Sequence, residues 1–281
     1  MHWRTLTSAD ELAAQLASTE LVTVDCRFDL RDPGAGERAY LAGHLPGAVY
    51  AHLDRDLSDL SRPGRGRHPL PEADAFCATL ARWGVTPRHQ VVAYDANDGA
   101  HGARLWWMLR LLGHERVSVL DGGLAAWMAR GNALEVALPR ARAGKYTARF
   151  DARAIASTAV VAARMASGNG KLIDARAGER FRGEIEPIDS VPGHIPGAVS
   201  RPFSSNLSAD NRFKSPGVLA EEFRTLLGDS PANETLLMCG SGVTACHHLL
   251  AMEHAGLRGA RVYPGSWSEW ISDPSRPIAR G

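Results

Sequence analysis

Residues 236–248 read LLMCGSGVTACHH, and the rest of the chain is organised around this stretch. Three apolar residues run directly into Cys239, two glycines flank Ser241, and a helical pattern follows. An apolar run that stops at a glycine-rich turn and continues as a helix is typical of a buried parallel strand, a tight loop and a helix N-terminus. The sequence therefore predicts that Cys239 lies at the junction of a strand and a helix.

This position suits the chemistry of a nucleophilic thiol. A glycine-rich loop turns several backbone N–H groups toward one point, and the macrodipole of the following helix adds positive potential there. Both effects favour the thiolate, which is the reactive form of cysteine. The same N–H groups would hold an anionic sulfur added to Cys239. The alternative is an inert cysteine buried before an ordinary strand-to-helix turn.

Three motifs occur twice in the chain, in the same order and at offsets of 143–150 residues. They are VDCR at 24–27 and IDAR at 173–176, GHLPGAV at 43–49 and GHIPGAV at 193–199, and GGLAAW at 122–127 and GSWSEW at 265–270. A shared offset across three motifs indicates two copies of one domain. The histidine of the GHxPGA turn is expected to cap a backbone group rather than to take part in chemistry.

Each copy alternates short apolar strands with helices, which is typical of a parallel sheet. The predicted fold class is therefore α/β, with two tandem domains, each a parallel sheet flanked by helices on both faces. The first domain is predicted to span residues 1–134 and the second residues 151–281. Residues 135–150 are rich in Ala and Arg and show no period, so they are predicted to form the linker.

The loop CGSGVTA at 239–245 resembles the active-site loop of the rhodanese superfamily, in the form found in 3-mercaptopyruvate sulfurtransferases. The GHxPGA and GSWSEW motifs are also similar to those of this family, so the resemblance covers nearly the whole chain. It implies two rhodanese-like domains and transfer of a sulfur atom through a persulfide on Cys239. Thiosulfate-preferring members usually carry charged residues in the loop, whereas residues 240–243 are neutral here. The expected donor is therefore 3-mercaptopyruvate, with thiosulfate as the alternative.

Only the second copy is expected to be active. The first copy has Asp95 where the second has Cys239, at an offset of 144 residues. An aspartate cannot accept a sulfur atom to form a persulfide, so the first domain is predicted to be catalytically silent. Asp95 is expected to cap the helix that follows it.

The resemblance implies further residues at the site. The persulfide is expected to be held by the backbone N–H groups of Gly240, Gly242, Val243, Thr244 and Ala245. Ser241 is implied to work with a histidine and an aspartate of the first copy, which match His68 and Asp56 in the polar connection 54–71. In such a relay a hydroxyl is polarised by an imidazole that a carboxylate orients. Asp54 and Asp59 compete with Asp56 for the last role.

An anionic donor needs a cation for its carboxylate, and arginine binds planar carboxylates in a bidentate fashion. The resemblance implies substrate-binding arginines in the loop before the second GHxPGA motif, and Arg180 matches the first of them. The second position holds Ile188, so Arg182 is the candidate to replace it. The alternative for both arginines is a solvated ion pair with Glu179 or Glu184.

Composition narrows the functional classes. A formal net charge of +1 argues against a general binder of nucleic acid or of membrane surfaces. Four cysteines without a C-x-x-C pair indicate neither a disulfide framework nor a zinc site. The chain has no 18-residue apolar run and no apolar signal core at its N-terminus, so it is expected to be cytoplasmic.

The predicted enzyme needs no metal and no organic cofactor. Its partners are expected to be a small anionic sulfur donor and a thiol, cyanide or thioredoxin-like acceptor, and the chain is expected to be a monomer. Two rival functions fit the sequence less well. A Cys-loop phosphatase needs an arginine at the end of the loop, and residues 239–245 contain none. A non-enzymatic pair of binding modules would lack the nucleophile, which is missing only from the first copy.

Overall fold

The computed structural model describes residues 2–139 and 144–281, and the chain divides into two compact units. The first unit comprises Met1–Asp59, Leu70–Asp151 and Ala209–Phe213, and the second comprises Leu60–Pro69, Ala152–Ser208 and Lys214–Gly281. Each unit is therefore built around one copy of the repeat, with two short segments exchanged. The first copy contributes Leu60–Pro69 to the second unit, and the second copy contributes Ala209–Phe213 to the first.

The first unit contains five parallel strands and six helices in its described residues. The strands are β1 (Leu6–Thr7), β2 (Leu21–Asp25), β3 (Val49–Tyr50), β4 (Gln90–Tyr94) and β5 (Val117–Leu120). The helices are α1 (Ala9–Ala13), α2 (Ala35–Ala42), α3 (Leu53–Asp56), α4 (Ala73–Arg82), α5 (Ala100–Leu111) and α6 (Gly123–Ala129). The strand order in the sheet is β1-β5-β4-β2-β3.

Local sequence explains where these elements begin and what they bury. Ser8 and Glu11 form a reciprocal capping box at the start of α1, as the sequence predicts. Every residue of β4 is buried, which matches a strand covered on both faces of a parallel sheet. The core includes Leu120 and Trp127, which pack in one buried cluster.

The second unit contains four parallel strands in the order β7-β6-β8-β9. The strands are β6 (Leu172–Asp174), β7 (Val199–Ser200), β8 (Leu236–Met238) and β9 (Arg261–Val262). The α-helices are α7 (Thr158–Ser167), α8 (Gly178–Arg182), α9 (Pro216–Leu227), α10 (Thr244–His254) and α11 (Ser266–Trp270). Short 3-10 turns occupy Ala152–Ala154, Phe203–Asn206 and Ala232–Glu234.

The sheet of the second unit sets the position of the glycine-rich loop. In the register of β6 and β8, Asp174 pairs with Met238, so both strands end at the same edge. Trp267 and Trp270 pack beneath this edge in a cluster with Met238. Burying one large apolar side chain contributes about 1.5–3 kcal/mol, so these residues anchor the end of β8 firmly. The residue after Met238 is Cys239.

The GHxPGA turns are structural, as expected. The Nδ1 atom of His44 lies 2.8 Å from the Tyr40 carbonyl oxygen, and Nδ1 of His194 lies 2.8 Å from the Phe181 carbonyl oxygen. Each imidazole also stacks on the ring of that same residue, with centroids 4.1 Å and 3.7 Å apart. The two histidines therefore tie each turn to the helix that precedes it.

The α/β fold class is confirmed. The polar connection 54–71 begins within α3. In the predicted linker 135–150, residues 140–143 lie outside the described residues. Glu135 pairs with His44, and the Tyr146 hydroxyl lies 2.9 Å from His114 Nδ1, so the flanking parts pack onto the first unit. No helix in the described ranges is long and apolar enough to span a membrane.

Candidate active site

Cys239 lies where the sequence predicts, between the buried strand β8 and the helix α10. Only 2% of the residue is exposed. The backbone N–H of Gly242 donates a hydrogen bond to Cys239 Sγ, with the two heavy atoms 3.1 Å apart. A backbone donor aimed at the sulfur stabilises negative charge on it, and the N-terminal end of α10 adds to this effect.

Gly242 permits this geometry because of its backbone conformation. Its φ is +78°, in the left-handed region. A Cβ atom at this position would lie 2.2 Å from the Pro264 carbonyl oxygen. Only glycine can therefore place its N–H against the sulfur while the loop packs on the segment after β9.

That segment, residues 264–268, forms hydrogen bonds with the backbone of the loop. The hydroxyl oxygen of Ser266 accepts a hydrogen bond from the Cys239 N–H at 3.0 Å. The N–H groups of Trp267 and Ser268 donate to the carbonyl oxygens of Cys239 and Gly240, at 3.0 Å and 2.9 Å. The sequence identified this motif only as part of the repeat, and its contacts with the reactive loop were missed.

Ser241 contacts His68, the histidine that was predicted to lie beside it. Ser241 Oγ and His68 Nδ1 are 2.8 Å apart, and the two residues are 6% and 4% exposed. This contact forms within the second unit because Leu60–Pro69, which carries His68, belongs to that unit. The structure thus places an imidazole on a hydroxyl two residues from the sulfur.

Asp56 belongs to the first unit, where it ends helix α3. Its carboxylate accepts hydrogen bonds from the Arg82 guanidinium at 2.9 Å and from the His52 backbone N–H at 2.9 Å. Through these contacts the Asp56 carboxylate links α3 to α4 within the first unit. Its predicted task of orienting His68 stays a prediction.

Two guanidinium groups lie at the loop beside Cys239. If Gly240 carried a Cβ atom, it would be 3.1 Å from Arg67 Nη2 and 3.7 Å from Arg180 Nη1. Asp189 bridges the two arginines: Oδ1 accepts from Arg67 Nη1 at 2.6 Å, and Oδ2 accepts from Arg180 Nη2 at 2.9 Å. Arg180 was predicted at the site. Arg67 was not, although it directly precedes His68.

A second carboxylate fixes the orientation of Arg180. Glu186 accepts hydrogen bonds from Nε and Nη2 of Arg180 at 3.1 Å and 2.7 Å. Burial raises the pKa of Glu186, but these bonds and the backbone N–H groups of Ile188 and Asp189 outweigh burial, so its pKa lies below the ordinary value of 4.5. Glu186 is therefore a carboxylate at neutral pH and holds the Arg180 guanidinium beside Gly240.

Arg182 does not join this cluster. Its Nε donates to Glu184 Oε1 at 2.7 Å, and the two side chains are 47% and 54% exposed. Residues two apart in a helix point about 200° apart, so Arg182 cannot share the direction of Arg180. The structure thus supports the alternative of a solvated ion pair for Arg182, and Arg67 supplies the second guanidinium instead.

The first unit shows what the same loop looks like without a cysteine. Asp95 Oδ1 accepts from the Gly99 N–H at 2.9 Å, and Oδ2 accepts from the N–H groups of His101 and Gly102 at 3.0 Å and 3.2 Å. The carboxylate therefore caps the start of α5, as predicted. Backbone donors that could hold an external anion are used internally.

Two buried histidines, His247 and His248, lie on α10. Asn206 Nδ2 lies 3.0 Å from His247 Nδ1 and 2.8 Å from His248 Nδ1, and His248 Nε2 lies 2.7 Å from the Arg201 carbonyl oxygen. Burial lowers the pKa of His248 to about 3. The ring is therefore neutral at physiological pH, and its role is to pack the helix. Across the described ranges, no group of three or more His, Cys, Asp or Glu residues is placed to hold a metal ion.

Comparisons with known proteins agree with this geometry. A family model for the rhodanese-like domain matches residues 8–130 and 157–273. A Pseudomonas aeruginosa protein named a probable 3-mercaptopyruvate sulfurtransferase is 48% identical over 278 residues, covering 98% of both chains. SseB of Mycobacterium tuberculosis, named provisionally as a thiosulfate sulfurtransferase, is 41% identical over 281 residues, covering 98% of this chain and 97% of SseB.

A solved structure is similar over the whole chain. The crystal structure of SseA from Escherichia coli, described as a 3-mercaptopyruvate sulfotransferase with the rhodanese fold, matches with a TM-score of 0.81 at 32% identity. The match covers 95% of this chain and 100% of SseA.

Proposed function

Because this chain belongs to the rhodanese family and is a sulfurtransferase, we propose that it moves a sulfur atom from 3-mercaptopyruvate, through a persulfide on Cys239, to a thiol acceptor. The observation that carries the choice of donor is the contact between Ser241 and His68. A polarised hydroxyl is useful when the leaving group must be protonated, and pyruvate leaves as an enolate. Sulfite, which leaves from thiosulfate, needs no proton.

In the first half-reaction, Cys239, Ser241 and His68 account for every bond and proton that moves. The Cys239 thiolate attacks the sulfur of the donor and forms an S–S bond, while the C–S bond breaks and its electron pair moves to carbon. The resulting enolate takes the proton from Ser241 Oγ, which His68 replenishes with the proton that the donor's thiol gives up. The products are pyruvate and an anionic persulfide on Cys239, beside the Gly242 N–H.

The donor's carboxylate is assigned to Arg67 Nη2 and Arg180 Nη1. Asp189 accepts from Arg67 Nη1 and Arg180 Nη2, which leaves Arg67 Nη2 and Arg180 Nη1 for the donor, and both lie close to Gly240. Two fixed N–H donors suit the two oxygens of a carboxylate. This arrangement compensates for Ile188, which occupies the position where the family resemblance implies an arginine.

In the second half-reaction an acceptor removes the outer sulfur. An acceptor thiol attacks that sulfur, Cys239 leaves as a thiolate, and the acceptor carries the persulfide away. Cyanide in the same role would leave as thiocyanate, and a reduced thioredoxin-like protein supplies a second thiol that releases sulfide. Because a covalent intermediate separates the two steps, the kinetics are expected to be ping-pong.

Thiosulfate is the second candidate donor, and the similarity to SseB favours it. Its dianion would bind the same two guanidinium groups, and attack of Cys239 on the outer sulfur would release sulfite. This reaction makes no use of the imidazole on Ser241.

Initial-rate kinetics with both donors test the proposal. We expect kcat/KM to be at least tenfold higher for 3-mercaptopyruvate, which corresponds to about 1.4 kcal/mol of transition-state stabilisation. Intact-mass analysis should show one added sulfur after the donor is supplied without acceptor, and Cys239→Ser should abolish it. A faster reaction with thiosulfate would refute the choice of donor. Sulfur loading in the variant on Cys246, a free cysteine buried on α10, would refute the choice of nucleophile.

A further inference from the structure

Ser266 has an unusual backbone conformation for a serine. Its φ is +51°, and among the described residues only Asn211 is another non-glycine residue with positive φ. Asparagine tolerates this region, whereas serine is strained in it. Ser266 is also fully buried. A strained, buried serine is retained only where the surrounding structure uses its side chain.

The side chain is used at Cys239. Ser266 Oγ accepts the Cys239 N–H at 3.0 Å and donates to the Tyr263 carbonyl oxygen at 2.8 Å. The second bond fixes the direction of the hydroxyl proton, so a lone pair of the oxygen faces Cys239. The N–H of the reactive cysteine is thereby held on one side, while its sulfur receives the Gly242 N–H.

The repeat provides an internal comparison. In each copy, two backbone N–H groups donate to carbonyl oxygens of the loop. In the first copy, Leu124 donates to Asp95 at 2.9 Å and Ala125 to Ala96 at 3.0 Å. In the second copy, Trp267 donates to Cys239 at 3.0 Å and Ser268 to Gly240 at 2.9 Å. The residue before each pair of donors is Gly123 in the silent copy and Ser266 in the active copy. Their φ values are +56° and +51°, so the backbone conformation is shared.

The space around that residue is not shared. A Cβ atom on Gly123 would lie 2.7 Å from the Asp95 carbonyl oxygen and 2.8 Å from the Asn97 nitrogen, closer than real Cβ atoms approach. At Ser266 a Cβ and a hydroxyl are both accommodated. The loop after Cys239 therefore leaves a gap that the loop after Asp95 fills with its own backbone.

We propose that Ser266 is a positioning residue for the sulfur-carrying loop, an inference that rests on the proposed function. Its hydroxyl holds the N–H of Cys239, and its side chain keeps the loop from closing to the spacing of the silent copy. The open spacing leaves the Gly242 N–H directed at the sulfur, where it holds the anionic persulfide.

Alkylation of Cys239 tests this without any sulfur donor. Iodoacetate is an anion and iodoacetamide is neutral, so the ratio of their rates at Cys239, read by peptide mass, reports how well the loop attracts negative charge. Ser266→Ala removes the acceptor and keeps the backbone strain, while Ser266→Gly removes both. Ser272→Ala is the matched control, because Ser272 Oγ also donates to the carbonyl three residues earlier, that of Glu269, at 2.7 Å.

We expect the iodoacetate-to-iodoacetamide ratio to fall at least threefold in both Ser266 variants and to stay unchanged in Ser272→Ala. The kcat for 3-mercaptopyruvate should fall at least tenfold with KM within about twofold, because the carboxylate is bound elsewhere. Rates are measured below each variant's unfolding temperature, and Ser266→Gly keeps the test open if the strained alanine variant folds poorly.

An unchanged alkylation ratio in both variants would overturn the proposal, even if turnover is lost, since the role would then be structural alone. If the wild-type enzyme does not use 3-mercaptopyruvate, the proposed function fails, while the alkylation ratio still decides the role of Ser266.

Discussion

Replacing Arg67 by methionine is the sharpest test of how the donor is held. Arg67 lies on the segment Leu60–Pro69, and its side chain is 24% exposed. The substitution removes one guanidinium from the Gly240 side of the loop and keeps most of the apolar volume. Arg180 is a poorer choice for this test, because it pairs with two carboxylates that are 3% exposed, so its loss would break two ion pairs at buried carboxylates and not one.

The size of the effect follows from the contacts. A hydrogen bond to a charged group is worth about 1.5–3 kcal/mol, so loss of the Arg67 arm should lower kcat/KM for 3-mercaptopyruvate by roughly 10- to 150-fold. The fold should survive, because Asp189 keeps its contact with Arg180 at 2.9 Å. The Arg67 side chain is 24% exposed, so the methionine can be accommodated at the edge of the cluster while Asp189 stays paired.

The assay compares donors with and without a carboxylate. Steady-state rates are measured with 3-mercaptopyruvate, and persulfide loading of Cys239 is measured with inorganic polysulfide, which has no carboxylate. Arg65→Met is the matched control: Arg65 is on the same segment, is 63% exposed, and reaches Glu269 at 3.8 Å. The control should stay within twofold of wild type with both donors.

Two results would refute the reasoning. If Arg67→Met stays within twofold of wild type with 3-mercaptopyruvate, the carboxylate is bound elsewhere. If the variant loses the same factor with polysulfide, Arg67 supports the loop in general and does not recognise the donor. An intermediate rate for Arg67→Lys would fit a retained charge without the planar fork of arginine.

Three further predictions concern the relay and the buried histidines. His68→Ala should lower 3-mercaptopyruvate turnover by about 10²- to 10⁴-fold, the usual range for a lost acid–base group, and leave thiosulfate turnover unchanged; equal losses with both donors would contradict a proton-transfer role. Asp56→Asn should show the same donor selectivity in the same assay, and a loss common to both donors would reduce its role to the contact with Arg82. His248 stays neutral in the fold down to a pKa of about 3, whereas the unfolded chain takes up that proton near 6.5. The free energy of unfolding should therefore decrease as the pH is lowered through this window, by about 1.4 kcal/mol per pH unit. Denaturant titrations at several pH values should show a weaker dependence of this free energy on pH for His248→Gln.

The sequence predicted the parts of the site that rest on local pattern. The apolar run, the glycines and the helix start placed Cys239 at a strand-to-helix junction. The repeat, with Asp95 in the equivalent position, predicted that only the second copy is active, and the expected capping of α5 by Asp95 is observed. Both inferences depend on residues near one another in the chain, where backbone propensity and period are informative.

Contacts between distant segments were predicted less well. His68 was matched to Ser241 only through the family resemblance, across 173 residues. Arg67, its neighbour, carries no period and no motif, so nothing local indicated that its guanidinium would reach Gly240. Arg182 was the candidate for the second arginine because Ile188 occupies the position that the resemblance implies, but Arg182 is 47% exposed and pairs with Glu184. Ser266 left a visible signal: it is a serine where the other copy has Gly123.

The exchange of Leu60–Pro69 between the two units has a consequence for how such a gene can evolve. A duplication normally frees one copy to decay, and the first copy has Asp95 at the position of Cys239. Yet the ten residues that carry Arg67 and His68 are encoded within that first copy. Deleting it, or splitting the gene at the junction between the repeats, would remove the side chain that contacts Ser241 and one of the two guanidinium groups beside Gly240. Under the proposed function we therefore expect the first copy to stay under selection for these two residues, and we expect no single breakpoint to yield an independent catalytic half.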